Sequence, residues 1–152
     1  MNIKIITKNK KARFDYKILD TYEAGMELRG SEIKSIRAQN ISIQQAYVQT
    51  DGEEIWLIDA YIHPYEQGGE YYNHDPKRRR KLLLHKQEIR KLWDGVRIKG
   101  HTIVPLKVYL KNGIAKIEIA LAKGKSHGDK RHDIAERDAN RQADREMSRF
   151  GF

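Results

Sequence analysis

Apolar and polar positions along these 152 residues follow two main rhythms, one strand-like and one helical, and each predicts elements. From Ala12 to about Leu28, in ARFDYKILDTYEAGMEL, the β-formers Phe14, Tyr16, Ile18 and Tyr22 are spaced by two residues or multiples of two, which predicts a strand. GSEIKSIRAQ then reads as a short helix. Ser31 stands at its N-cap, Glu32 lies in the first turn where a carboxylate suits the helix dipole, and Ile33 and Ile36 share a buried face. QAYVQT and EEIWLIDAYI flank Asp51-Gly52, a dipeptide suited to a two-residue type I′ turn with positive φ at both centres. Residues 64–76 form a long loop containing glycine, KRRRKLLLH a buried strand entered through a basic run, and KQEIRKLWDG a short helix closing near Gly95.

The clearest hairpin is HTIVPLKVYL-KNG-IAKIEIALA, turning at Asn112-Gly113. Ala115, Ile117, Ile119 and Leu121 alternate with Lys116, Glu118 and Ala120, so one face is core and the other wet. Pro105 donates no ladder hydrogen bond and belongs at an edge or a bulge. From Lys123 onward the apolar pattern thins. The expected inventory is five or six strands in hairpins with two or three short flanking helices. A closed, OB-fold-like antiparallel barrel hides the edges of so few strands, and an open sheet packed with helices is the alternative. The expected division is a barrel over residues 1–123 and a tail over 124–152, disordered or conditionally helical.

Charge changes the picture from fold to partner. The net charge is +9, yet residues 14–75 carry twelve acids against four cations, whereas residues 76–99 carry ten cations against two acids. Residues 1–13 hold five cations and no acid, and residues 127–152 balance at six of each. Such blocks point to a polyanion on one side of the molecule. Phosphate contacts fit the run Lys77 to Lys81 with Lys86, Arg90 and Lys91, and Tyr22, Tyr71, Tyr72 and His85 suit stacking on unpaired bases. The chain has no cysteine, no long apolar run of a membrane span, and no apolar block of a signal peptide in MNIKIITKNKKAR, a set that fits the cytoplasm.

Enzyme motifs fail on inspection. GKS at residues 124–126 lacks the P-loop's upstream glycine, because Ile119 stands there inside an alternating strand. His127, Asp129 and His132 are possible metal ligands, but they sit beside Lys130 and Arg131, which repel a cation. His85 and Glu88 are spaced as an acid–base pair without a nucleophile or second carboxylate. The expectation is a binding protein with no catalytic residues, no metal and no cofactor.

The last stretch places Arg137, Arg141, Arg145 and Arg149 four residues apart. On a helix each such step drifts only ~40°, so they form one slowly winding stripe. Ala135, Ala139, Ala143 and Met147 form a second, weakly apolar one. This segment has little to bury alone, and phosphates would supply the partners it lacks.

Five blocks in order, NKKARFDY, TYEAGMELRGSEIKSIRA, HDPKRRRKLLLHKQEI, GHTIVPLKVYLKNGIAKIEIALAKGK and DKR, resemble the SsrA-binding protein (SmpB) family across nearly the whole chain. The resemblance implies an OB-type barrel, monomeric in a ribonucleoprotein complex, that binds the tRNA-like domain of transfer-messenger RNA. It further implies a tail that becomes helical in the vacant decoding site and mRNA channel of a stalled ribosome. The RNA-binding positions so implied, together with the basic and aromatic neighbours read above, are Asn9, Lys11, Arg13, Tyr22, Glu32, Lys34, Arg80, Lys81, Leu83, His85 and Lys86. Glu32 would accept from RNA or orient a basic neighbour, Leu83 would be support, and His85 would stack or donate. The ribosome-contacting positions are Gly124, Lys125, His127, Asp129, Lys130, Arg131 and the four arginines of the stripe.

The chain departs from the family pattern in three places. Ser126 stands where a second lysine is usual, Gly128 where a tyrosine or histidine is usual, and QNISIQQAYV replaces the usual GKxNxxDSYV. The competing classes are a structural ribosomal or general RNA-binding OB-fold protein, and a nuclease using acids of residues 14–75, for which no motif is present.

Overall fold

The long C-terminal hairpin organises the computed structural model, which describes residues 2–65, 73–125, 130–131 and 134–141. In chain order the elements are β1 (Ile3–Lys8), α1 (Lys10–Asp15), β2 (Tyr16–Met26), α2 (Gly30–Arg37), β3 (Ile41–Ser42), β4 (Tyr47–Thr50), β5 (Ile55–Ile58), β6 (Tyr61–Ile62), β7 (Arg80–Leu83), α3 (Lys86–Val96), β8 (His101–Lys111) and β9 (Ile114–Gly124). Residues 134–141 are also helical. The main sheet runs β1-β8-β4-β5-β7-β2-β9, and β8 also pairs with β9, so six antiparallel strands close into a barrel. The short ribbon β3–β6 stands apart.

β8 serves two neighbours on one edge. Its Ile103 pairs with Val48 of β4, while Lys107 to Lys111 pair with β1. A register shift between Pro105 and Lys107 separates the two, so the proline sits at a bulge as its missing N–H requires. Asn9 fills this bulge. Its side-chain nitrogen donates to Pro105 O (3.1 Å) and Ile43 O (3.3 Å), and its backbone N–H donates to Leu106 O (2.7 Å). Asn9 also caps α1, its Oδ1 accepting from Ala12 N at 3.2 Å.

That cap explains the first correction. The strand expected from Ala12 begins at Tyr16, because Asn9 nucleates a helical turn that sends Ala12 into a small cluster with Val104, Leu106, Ala120 and Ala122. Ala120 is therefore buried rather than wet. There are nine strands among the described residues rather than five or six, the additions being two-residue β3 and β6 and the edge strand β1, on which Ile3 and Ile5 stay exposed. The Asp51-Gly52 hairpin exists, but its connection is the four residues 51–54. Asp51 Oδ1 accepts from Glu53 N and Glu54 N, the Thr50 hydroxyl donates to Glu54 O, and of the pair only Gly52 takes positive φ. Asn112 and Gly113 both do (51° and 81°), as their two-residue turn demands.

The barrel interior holds Ile36, Ile55, Leu57, Leu82, Ile103, Ile117 and Ile119, and α3 packs Ile89 and Leu92 into the same core. Each such side chain contributes roughly 1.5–3 kcal/mol relative to exposure. Among the described residues no helix is long and apolar enough to cross a membrane.

Gly52 ties the β4–β5 loop to α3. Its φ is +94°, and an added Cβ would lie 3.1 Å from Trp93 Cδ1. Gly52→Val is expected to lower stability by about 1–3 kcal/mol through backbone strain and this contact, read as a shifted urea midpoint. An unchanged midpoint would show that the loop is not held against α3.

Candidate nucleic-acid interface

The first turn of α2 carries a carboxylate into the interior. Glu32 is fully buried. Its Oε2 accepts from Arg80 Nε at 2.6 Å, and its Oε1 accepts from Arg78 Nη2 at 2.6 Å and from Arg29 N at 2.8 Å. Arg80 is equally buried and also donates to Ala60 O (2.7 Å) and Pro76 O (3.1 Å). Burial pushes the Glu32 carboxyl up, but the donors Arg78, Arg29 N and Arg80 outweigh it and hold it below the ordinary carboxylate range. Nearby, buried His74 lies between Ser31 Oγ (2.8 Å) and Ile62 O (2.9 Å), and Ser35 donates to His63 O at 2.6 Å. Ser31 is thus not the helix cap; Arg29 occupies that position.

Glu32, Arg80 and Asn9 present almost no surface, and each spends its polar atoms on the protein. Both Glu32 oxygens are taken up by Arg29 N, Arg78 and Arg80. The five-cation run is divided by strand alternation: Arg80 points inward, Arg79 lies over the Trp56 ring at 4.3 Å, and Lys81 Nζ reaches Glu54 at 3.4 Å. Lys34 stays exposed on α2, with its ammonium 5.3 Å from the Tyr65 ring centre.

On the outer face of β2 and β7 a groove of about 500 Å³ is lined by Glu23, Gly25, Leu83, Leu84, His85, Glu88 and Lys116. Gly25 pairs with Leu83, and an added Cβ on Gly25 would lie 3.3 Å from Leu83 Cβ. Leu82 is buried, whereas Leu83 is 48% exposed, so Leu83 is a surface residue. His85 is exposed at the N-cap of α3, its backbone N–H bound by Glu88 Oε1 at 3.1 Å, and Lys86 follows in the open. Tyr22 packs its ring partly on the core and donates to Asp20 Oδ2 at 2.9 Å. Burial first, then Asp20, raises its phenol to about 12, so it remains a protonated donor. Its ring is not a free stacking platform.

Glu23 was not anticipated. A hydrogen bond from Tyr109, together with Lys111 at 3.2 Å, outweighs desolvation and lowers its pKa, so it stays anionic in the groove. Strand alternation was the available signal, since Glu23 and Gly25 share the outward face of β2 on which Leu83 also opens. The groove offers carboxylates that accept from base amino or ribose hydroxyl groups, an apolar face at Leu83, and a cation for phosphate at Lys116, with Lys86 exposed next to His85. That mixture suits bases and sugars of unpaired RNA better than phosphate alone.

Lys11 and Arg13 lie elsewhere, on α1, where the tail leaves the barrel. Arg13 is 3.5 Å from Glu118. Lys125 Nζ donates to Arg13 O (3.1 Å) and Lys125 N to Asp15 O (2.9 Å), while Gly124, the last residue of β9, pairs with Tyr16. Lys130 Nζ is 3.1 Å from Asp15. Arg131, Arg137 and Arg141 are exposed. At the root of the tail, α1 and the residues that follow β9 share one surface. His127, Asp129, Arg145, Arg149, Tyr71 and Tyr72 lie outside the described residues. Among the described residues no group of three or more His, Asp or Glu could hold a metal ion.

The family model described as SmpB protein matches residues 6–149. The SsrA-binding protein of Pelotomaculum thermopropionicum is 52% identical over 145 residues, covering 95% of this chain and 94% of the relative. That of Chloroflexus aggregans is 51% identical over 148 residues, covering 97% and 94%. A chain of the solved structure described as "tmRNA-SmpB: a journey to the center of the bacterial ribosome" matches at a TM-score of 0.67 and 48% identity, covering 80% of this chain and 85% of that one.

Removing Glu32 leaves two guanidinium groups without their carboxylate, one of them wholly buried, so Glu32→Ala should cost about 3–5 kcal/mol in a urea titration at pH 7. Because the folded pKa is depressed, the carboxylate's contribution is full above its ordinary value of ~4.3 and is lost as pH falls through the lower folded value. Glu32→Gln should therefore be less stable than the parent at neutral pH and lose less stability on acidification. Parallel pH profiles would contradict this.

Proposed function

The chain belongs to the SmpB family of SsrA-binding proteins, and on that premise we propose that it binds transfer-messenger RNA and delivers it to stalled ribosomes for trans-translation. It acts in the cytoplasm by binding, as a monomer within a ribonucleoprotein complex, and is not an enzyme. The observation that carries the reading is the β2–β7–α3 groove, where Leu83 and His85 of one motif meet Glu23 and Lys116 from two other strands, with Lys86 exposed next to His85. An unpaired base of the tRNA-like domain rests on Leu83, its donors meet Glu23 or Glu88, and His85, Lys86 and Lys116 hold the flanking backbone. Lys34, Lys81 and the Tyr22 hydroxyl border this contact. Glu32, Arg80 and Asn9 support it from within.

The division of labour follows the fold. The barrel of residues 1–123 takes the place of the missing codon–anticodon arm, and the tail of residues 124–152 enters the vacant decoding site and mRNA channel. There Gly124, Lys125, His127, Asp129, Lys130 and Arg131 meet the decoding centre. Arg137, Arg141, Arg145 and Arg149 follow the channel as a cationic helix stripe, with phosphates supplying partners that water would otherwise supply. Lys11 and Arg13, beside the tail root, belong with this second contact.

The test is a binding titration against transfer-messenger RNA and a folded control RNA of equal length across a salt series. Leu83→Asp should weaken transfer-messenger RNA binding by about tenfold or more at unchanged thermal stability, since Leu83 is already solvent-exposed. Removing residues 126–152 should leave that affinity within about threefold and abolish peptide tagging on stalled ribosomes. Equal affinity for both RNAs, falling steeply with salt, would identify a general polyanion binder and favour a structural ribosomal protein instead.

A further inference from the structure

α1 is short, but five separate contacts from the tail converge on its last three residues, Arg13, Phe14 and Asp15. Lys125 donates through its backbone N–H to Asp15 O and through its ammonium to Arg13 O, at 2.9 and 3.1 Å. Lys130 pairs with the Asp15 carboxylate at 3.1 Å. The Phe14 ring then receives two cations, the Lys130 ammonium 5.6 Å and the Arg137 guanidinium 5.1 Å from its centre. An aromatic ring with two cations from the same distal segment over it is a specific arrangement, because the attraction is directional and disappears when the π face is removed. Lys130 and Arg137 are seven residues apart, so one ring meets two separate points of the tail.

The contact holds the tail at a point and not along a face. Clefts of about 380 and 360 Å³ stay open beside it, one lined by Phe14, Ile134, Arg137, Asp138 and Arg141, the other by Lys10, Arg13, Phe14, Glu136, Arg137 and Asn140. Ile134 remains 46% exposed. A segment packed for stability would bury these surfaces. A segment held only to fix its direction needs one post. α1 is itself immobilised, by the Asn9 cap and by Ala12 in the Val104–Ala122 cluster, so the post is rigid with respect to the barrel.

We propose that Phe14 and Asp15 are positioning residues that anchor the root of the tail on α1 and set the direction in which it leaves the barrel. This rests on the tail's ribosomal role stated above. It assigns to α1 a task separate from RNA recognition: the β2–β7–α3 groove holds the RNA, and Phe14–Asp15 aims the tail relative to it. Directional anchoring matters because a flexible joint would spread the arginine stripe over many orientations, only a fraction of them competent to enter a channel, and apparent affinity falls by that fraction.

The experiment uses the full chain with Phe14→Leu, Asp15→Asn, the two combined, and Phe14→Trp. Leucine keeps the apolar packing of α1 and removes the π face; tryptophan keeps it. Amide hydrogen exchange at residues 134–141 of the free protein should be about five- to tenfold faster in the double variant and near parental in Phe14→Trp. Affinity for transfer-messenger RNA should stay within about twofold in all four, and peptide tagging on stalled ribosomes should fall several-fold in the double variant with recovery in Phe14→Trp. Unchanged exchange would overturn the anchor. A large loss of RNA affinity would make Phe14 part of the RNA contact and overturn the positioning role, as would faster exchange with full tagging. The broader functional reading fails by a different result, full tagging by a protein that lacks residues 126–152.

Discussion

The ion pair between Glu32 and Arg80 is the interaction on which the rest of the structure depends. Neither side chain reaches solvent, so each would be prohibitively costly to bury alone. Together they join the first turn of α2 to β7, and Arg80 extends the joint to Ala60 and to Pro76 through backbone carbonyls. Arg78, two residues before β7 begins, adds a second cation. One carboxylate thus holds a helix, a strand and the segment before that strand in a single geometry. β7 carries Leu83 at its far end and runs directly into His85 and α3, so the register of the groove is inherited from this buried joint.

The same economy governs Asn9. It satisfies the bulge that Pro105 forces on β8, starts α1, and places Ala12 in the smaller core. α1 then presents Phe14 and Asp15 to the tail. Two polar residues that carry no surface chemistry therefore position two surfaces that do. Substitution of either would disturb the fold, which makes stability measurements a necessary companion to any binding result on them.

The two surfaces differ in chemistry. The groove mixes carboxylates, an exposed leucine and cations, which suits reading unpaired bases and sugars. The tail root offers arginine and lysine around one aromatic ring, and the stripe beyond it offers charge at helical spacing. Strand pairing keeps them apart, because the groove depends on β2 with β7 and the tail leaves from β2 with β9.

Much was legible in the sequence by itself. Alternation marked β9, Asn112-Gly113 marked its turn with β8, Pro105 marked an edge or a bulge, and the helical spacing of Ile89 and Leu92 marked α3, because local sterics and burial periodicity decide these features. The charge blocks pointed to a polyanion, and the ordered motifs pointed to the family. Only the tertiary structure decided which charges were available. A cation run reads the same in sequence whether strand alternation turns a given arginine inward or outward, and an acid in a helix's first turn reads as a dipole partner whether or not an arginine 48 residues away awaits it. Glu23 and Lys116 entered the groove, and Phe14 met the tail, through pairings between strands distant in the chain. Closure of the barrel fixes those pairings, and no local pattern records them.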